Sequence, residues 1–414
     1  MVFDIKMLLR VLLALLTAGA LSLILTPMVK YLAERVGAID VPKDDRRMHK
    51  TPIPRMGGLA IFLAFFLSTL LYLRVIDRQM QAVLLALLLI VILGVFDDIY
   101  DLHPIFKLLI QIAAACIVIF YGNLRIEKIT NPFGGEKSFF ELGFFSVPVT
   151  LLWIVAITNA VNFIDGLDGL ACGVSCITAI NMLVIALLVS EKDLMGSERS
   201  IAIVMAALAG ACLGFLPYNF NPAKIFMGDT GSTFLGFLLA TVSIQGLFKA
   251  YAVVSVAVPF LLLGLPIFDI SAAVIRRLAH GKNPMQADRG HFHHKLIDMG
   301  LSQKQTVAVA YVLTAVLGLA TVLLTSTGRM KTVIVVLAVA IVGMIGFQIF
   351  SSDRIRKHQA AEKAQNTEQS AETEAGDEHG SLDPGEAKAA CGPGAVEAAP
   401  CSHSCAGSQA PASG

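Results

Sequence analysis

The sequence predicts an all-α polytopic membrane protein, on three observations: its apolarity, the length of its apolar runs and the distribution of its cationic loops. Of 414 residues, 56% are hydrophobic and 15% charged, and the mean hydropathy of +0.71 is well above that of an average soluble domain. About 20 mostly apolar residues cross a bilayer as a helix. Such runs lie near 7–27, 56–74, 81–96, 104–121, 147–164, 170–190, 200–220, 231–248, 251–275, 305–327 and 331–350, giving ten or eleven expected spans.

Cationic residues set the expected orientation. The 28–55 loop carries Lys30, Arg35, Lys43, Arg46, Arg47, Lys50 and Arg55, and 276–304 carries Arg276, Arg277, Lys282, Arg289, Lys295 and Lys304. The positive-inside bias puts both in the cytoplasm. An odd number of spans then leaves the N-terminus outside and the C-terminus inside, next to Arg354, Arg356 and Lys357. Lys6, Arg10 and Ala18-Gly19-Ala20 give the first span a signal-peptide look, but cleavage there would export the cationic 28–55 loop, so the span is read as retained. Alternating residues around a Pro/Gly turn at 124–143 predict a small extracytoplasmic hairpin.

Residues 1–351 form the expected transmembrane domain. The 352–414 tail, rich in Ala, Glu, Gly, Ser and Pro, is expected to be disordered and cytoplasmic. Cys116, Cys172, Cys176 and Cys212 lie in or beside apolar spans as small buried hydrophobes. In the tail, "CSHSC" has no second ligand pair of zinc spacing. A net charge of +1 points to no nucleic-acid partner.

Four polar clusters fall on the predicted cytoplasmic face: "FDDIYD", "NAVNFIDGLDG", "NPAKIFMGDTGS" and "DRGHFHH". Ionisable groups at membrane depth are costly and mark functional sites by default. Asp97, Asp98, Asp101, Asp165, Asp168 and Asp229 would repel one another without a cation. All-oxygen ligands point to a hard ion, and Mg²⁺ typically takes one or two carboxylates plus substrate phosphates.

Asn159, Asn162, Asp165 and Asp168 recur every third residue, so on one helix each would sit about 60° behind the last. Gly166 and Gly169 predict a break that swings the aspartates back and exposes backbone N–H groups for a phosphate. "MGDTGS" puts Asp229 at a helix N-terminus suited to anions, with Asp229 or Thr230 as N-cap. Lys224 and Phe226 lie just upstream, where an aromatic ring could stack on a base. His291, His293 and His294 lack the i, i+4 spacing of a helical zinc pair; beside Arg289 and Lys295 they suit phosphate better.

With "RRMHKTPIPRMGGLAI", "VFDDIYDL", "NAVNFIDGLDGLA", "FMGDTGS" and "DRGHFHHKLIDMGLS" in this order, the chain over residues 7–350 resembles the polyprenyl-phosphate N-acetylhexosamine-1-phosphate transferases. The resemblance implies a Mg²⁺-dependent enzyme of the cell membrane, with Mn²⁺ an allowed substitute and the active site on the cytoplasmic face. In such enzymes a lipid phosphate attacks the β-phosphorus of a UDP-sugar and UMP leaves. It implies Asp97 or Asp98 as base, Asp229 as principal metal ligand with Asp97, Asp98 and Asn162 in reach, and Asn159, Asn162, Asp165 and Asp168 as metal, pyrophosphate or nucleotide contacts. Phe226 would stack on uracil, His291, His293 and His294 would lie near the diphosphate and sugar, and Arg47, His49, Lys224 and Arg289 would bind substrate. The "HxHH" form of the last motif resembles the UDP-GlcNAc branch, especially the teichoic-acid initiators, with undecaprenyl phosphate as acceptor; the phospho-MurNAc-pentapeptide transferases are the alternative. A homodimer is compatible with this reading.

Two other classes compete. An intramembrane prenyltransferase would use "DDIYD" as a DDxxD motif, but it predicts a second motif of like spacing and leaves the histidines unused. A transporter would place carboxylates near the midplane and often shows internal repeats, whereas these acids gather at one face.

Overall fold

The computed structural model describes residues 5–42, 51–130, 139–190, 196–247, 257–279 and 292–325. The expected span near 331–350 and the tail lie outside them. The described residues are predominantly helical: α1 Ile5–Val36, α2 Gly58–Tyr72, α3 Arg78–Tyr100, α4 Pro104–Cys116 with a π turn to Tyr121, α5 Ser146–Ile164, α6 Leu170–Ser190, α7 Gly196–Asn219, α8 Gly228–Val242 with a π turn to Leu247, α9 Ala257–Leu262, α10 Gly264–Ala279, α11 Phe292–Asp298 and α12 Gln303–Thr325. Seven of these segments (α1, α3, α4, α5, α6, α7 and α12) are long and apolar enough to cross a membrane, making this a multi-pass membrane protein. The ninth expected span, 251–275, is instead broken, with α9 ending before Leu263 and α10 beginning at Gly264.

Helix α7 is central, and residues 201–212 are buried. It packs on α1 at backbone distance: a Cβ on Gly210 would lie 2.0 Å from the Leu15 carbonyl oxygen, and one on Gly214 2.2 Å from that of Gly19. Small residues permit this approach, which between lipid-embedded helices supplies van der Waals contact in place of a hydrophobic drive. Along α1, Leu8, Leu9, Leu12, Leu13 and Leu16 are exposed, as a lipid-facing surface requires.

Two short hairpins interrupt the helices. β3, Lys128–Thr130, pairs antiparallel with β4, Phe139–Glu141, so the hairpin expected at 124–143 is present. Its base is held to α5, where the Ser146 hydroxyl donates to the Ile126 carbonyl at 2.8 Å and Thr150 Oγ1 accepts the Ile126 N–H at 2.9 Å. The other hairpin pairs β1, Ile39–Asp40, with β2, Ile53–Pro54, and was not foreseen. Beyond β2 the chain runs alongside residues 226–227: Phe226 N–H donates to the Pro54 carbonyl, Gly57 N–H to that of Phe226 and Gly58 N–H to that of Met227. This pairing ties "PRMGGL" to "FMGDTG".

Candidate active site

The acids gather where the C-terminal ends of α3 and α5 meet the N-terminus of α8, and glycines allow the meeting. A Cβ on Gly58 of α2 would lie 2.0 Å from Gly231 N, and one on Gly94 of α3 would lie 2.4 Å from Thr230 Cα. Both positions leave the first turn of α8 in contact with backbone. Gly228, at φ +72°, starts that turn in a conformation that favours glycine.

Asp97 and Asp98 are adjacent and buried but do different things. Asp98 Oδ1 accepts the Asp229 N–H at 2.9 Å, and Oδ2 accepts the Thr230 N–H at 3.1 Å and its hydroxyl at 2.5 Å. It therefore caps α8 from another helix, an arrangement favoured by the orphan N–H groups and the positive end of the helix dipole. Arg55 Nε donates to the Asp98 carbonyl at 2.9 Å and lies 4.0 Å from Oδ1. Asp97 Oδ1 accepts the Leu102 N–H at 2.8 Å, and its Oδ2 is 2.6 Å from Lys107 Nζ.

Lys107 of α4 is the residue that the sequence reading missed. Its ammonium bridges Asp97 and Asp229, 2.8 Å from Asp229 Oδ2. A lone lysine inside an apolar run is itself a costly group needing a partner, and that signal was available. Asn162 Nδ2 donates to Asp229 Oδ1 at 3.0 Å and to Ser232 Oγ at 2.8 Å, orienting the carboxylate from α5.

A cavity of about 550 Å³ brings together Asp98, Asn162, Asp165, Asp168, Phe226, Asp229 and His294, with Arg55 and Gln303 also in its wall. Helix α5 ends at Ile164, and Asp165 leads into the turn. The break falls beside Gly166 as expected, but the positive φ, +79°, belongs to Gly169. Gly166 serves proximity instead, since a Cβ there would lie 2.5 Å from His293 Nε2. Desolvation, then the nearby Asp229, Asp98 and Asp168 carboxylates, push Asp165 up to about 8.

Other expected residues lie elsewhere. Asn159 is one turn deeper, its Nδ2 donating to Gln111 Oε1 at 2.7 Å and to the Val155 carbonyl at 2.8 Å. It is absent from the cavity wall, as are Asp97 and the exposed Lys224. His293 is buried and its ring lies 4.3 Å, centroid to centroid, from that of His294. Their helix, α11, is anchored by Asp269 of α10, whose Oδ1 accepts the Phe292 N–H at 2.6 Å. Asp269 is a second residue missed, hidden in an amphipathic helix far from any motif. Arg47, His49, Arg289 and His291 lie outside the described residues.

Among the described residues no three His, Cys, Asp or Glu side chains converge to hold a metal. Lys107 lies between Asp97 and Asp229, and both carboxylate oxygens of Asp98 accept from α8. The donor set still fits Mg²⁺, which usually relies on one or two carboxylates and substrate phosphates rather than an all-protein cage. Asn162 commits its NH₂ to Asp229 and Ser232, which leaves its carbonyl oxygen as a further hard ligand.

The family described as glycosyl transferase family 4 matches residues 80–247, a stretch containing every residue of this acidic cluster. A probable undecaprenyl-phosphate N-acetylglucosaminyl 1-phosphate transferase of Bacillus subtilis is 40% identical over 318 residues, covering 77% of this chain and 86% of that protein. The chain belongs to this family of sugar-1-phosphate transferases. A decaprenyl-phosphate N-acetylglucosaminephosphotransferase of Mycobacterium tuberculosis is 38% identical over 72% of this chain and 78% of its own length. An undecaprenyl-phosphate alpha-N-acetylglucosaminyl 1-phosphate transferase of Escherichia coli K12 is 28% identical over 69% and 76%. As a family 4 transferase the chain is an enzyme, and the competing prenyltransferase and transporter readings fall away. Its cavity is the candidate active site.

Proposed function

We propose that the protein transfers GlcNAc-1-phosphate from UDP-GlcNAc to undecaprenyl phosphate at the cytoplasmic face of the cell membrane, as the first membrane step of an envelope polysaccharide of teichoic-acid type. The observation that carries this reading is the convergence of Asp229, Asn162, Asp98 and Asp165 on one cavity at the ends of apolar helices, where a soluble nucleotide-sugar can meet a membrane-held phosphate. The names of the relatives and the "HxHH" motif favour GlcNAc over MurNAc-pentapeptide.

An oxygen of the lipid phosphate attacks the β-phosphorus, and the bond from that phosphorus to the bridging oxygen breaks, its electron pair leaving with UMP. Such transfer needs positioning and charge neutralisation more than covalent help from the protein. Arg55, in the cavity wall and fixed on Asp98, would supply cationic charge to the phosphates, and Lys107, held by Asp97 and Asp229 outside that wall, would add to the positive field. Mg²⁺ (or Mn²⁺), held by Asp229 with Asn162 and Asp97 at hand, would supply further neutralisation of the pyrophosphate.

A phosphate monoester with a second pKa of about 6 is largely dianionic near neutral pH, so the attack requires no strong base. The occupied oxygens of Asp98 make it a poor nucleophile or base, which favours direct attack over a covalent aspartyl-phosphate. Purified protein in lipid nanodiscs, given UDP-[³H]GlcNAc, undecaprenyl phosphate and Mg²⁺, should release UMP and label the lipid, with activity abolished by chelator. No UMP release from any UDP-N-acetylhexosamine would overturn the reaction, and a labelled phospho-enzyme formed without lipid would overturn direct attack.

A further inference from the structure

Gln303 begins α12, about 140 residues from the aspartate turn, just after the end of the histidine motif and with no role in the chemistry above. It is half-buried and lines the cavity beside the 219–223 segment. A chain of hydrogen bonds fixes which way its amide faces. Asp168 Oδ2 accepts from Ala223 N–H at 3.0 Å and from Asn221 Nδ2 at 2.9 Å. The Ala223 N–H on the same oxygen marks Oδ2 as an acceptor, so Asn221 must turn its NH₂ group toward it. That same NH₂ donates to Gln303 Oε1 at 2.6 Å, so Gln303 must present its carbonyl. Flipping the Gln303 amide would set two NH₂ groups face to face. Its own NH₂ is thereby left as a donor with no hydrogen-bond partner among the described residues.

The turn that carries Asp168 is held by α12 a second time. The Tyr311 hydroxyl donates to the Gly169 carbonyl at 2.6 Å. Gln303 is therefore fixed relative to the turn as well as to Asn221, and its NH₂ is pre-oriented rather than free to follow a ligand. Among the described cavity-lining residues the one Lys or Arg is Arg55, which is tied to Asp98. The diphosphate belongs near that cation, leaving a neutral part of the donor for the amide.

We propose that Gln303 is a specificity residue for the nucleoside of the donor substrate, its NH₂ group donating to a neutral acceptor such as a nucleobase carbonyl or a ribose oxygen. The assignment rests on the proposed use of a UDP-sugar. Gln303→Glu separates the donor from the buttress, because the glutamate still accepts from Asn221 but offers oxygen where the NH₂ stood.

Binding of [³H]uridine and of UMP to full-length protein in nanodiscs, together with KM and kcat for UDP-GlcNAc, tests the idea on the unaltered chain and on Gln303→Glu. Uridine and UMP should both weaken by roughly 5- to 100-fold, the effect of losing a buried hydrogen bond, with KM rising in step and kcat little changed. Uridine carries no phosphate, so simple repulsion of anions by the new carboxylate would weaken UMP alone. That outcome overturns the proposal. So does a fall in kcat at unchanged KM, which would make Gln303 a support for Asp168 only, and so does an unaltered chain that binds neither uridine nor UMP. An unaltered chain that binds both yet never turns over UDP-GlcNAc would instead refute the proposed reaction.

Discussion

The two ends of the cavity are built by different means. At the acidic end, positions are set by backbone against backbone: Gly58 and Gly94 admit the first turn of α8, and Asp98 takes the N–H groups that the turn exposes. At the other end, side-chain amides bridge separate elements, Asp168 to Asn221 to Gln303. Backbone contacts leave no room for a changed side chain, whereas an amide relay can be altered one member at a time. Under the proposed function, chemistry falls to the rigid end and discrimination among substrates to the adjustable one.

The largest effect is expected from Asp229→Ala. It removes one of the two partners of each of Lys107 and Asn162 and should lower UMP release by a factor on the order of 10³ or more, since electrostatic stabilisation dominates this chemistry. Normal yield of the variant in membranes would accompany the loss; near-normal turnover would remove Asp229 from the reaction.

Gly94→Ala asks whether the acidic end is as rigid as described. Its methyl group would overlap Thr230 Cα, and helix backbones on both sides cannot give way locally. Activity should fall by roughly 100-fold or more and the thermal midpoint should drop, because overpacking of this kind costs about 1–3 kcal/mol or more. Retained activity and midpoint would show that α3 and α8 can separate without harm.

Lys107→Met keeps the apolar stem and deletes the charge, leaving Asp97 and Asp229 facing each other unneutralised. A loss of about 10²-fold in kcat is expected from removing one preorganised cationic group, with partial recovery in Lys107→Arg. Equal loss in both variants would mean that the ammonium geometry, not its charge, matters.

The smallest effect concerns stability. Asp165 is raised to about 8 in the folded chain, above its unfolded value, so ionising it disfavours folding, and the penalty grows as pH climbs from the ordinary carboxylate range toward 8. Asp165→Asn should therefore raise the thermal midpoint of chelator-treated protein at pH 8 and change it little at pH 4.5. The opposite ordering would show that the folded carboxyl titrates at its usual value.

The first eight helices were legible in the sequence as apolar runs, although the expected spans at 56–74 and 231–248 form helices α2 and α8, which are not among the seven long and apolar enough to cross a membrane; the motif acids that share the cavity were legible too. What stayed hidden depended on partners distant in sequence. Asn159 looked like a fourth member of the Asn162, Asp165, Asp168 series, but its partner Gln111 sits inside an apolar run with nothing to announce it. Lys107 stands alone in an apolar run, outside all four polar clusters. Asp98 was indistinguishable from Asp97 in "FDDIYD", because one residue along a helix is a rotation of about 100°, and only the approach of α8 decides which of the two faces it. The break of the ninth span before Gly264 lay in a run whose apolarity alone continues through it.

The contact of Gly58 and Gly94 with the start of α8 also bears on how the protein is made. Membrane helices are inserted in chain order, and Asp98 enters with α3 about 130 residues before the N–H groups of Asp229 and Thr230 that satisfy it. Until α8 arrives, that carboxylate has Arg55 as its cationic neighbour but lacks the N–H groups that complete its shell, and the nascent chain holds an open slot beside Gly58 and Gly94. The acidic end of the cavity thus forms in one event that closes the slot and caps the helix together, before α11 and α12 add His294 and Gln303.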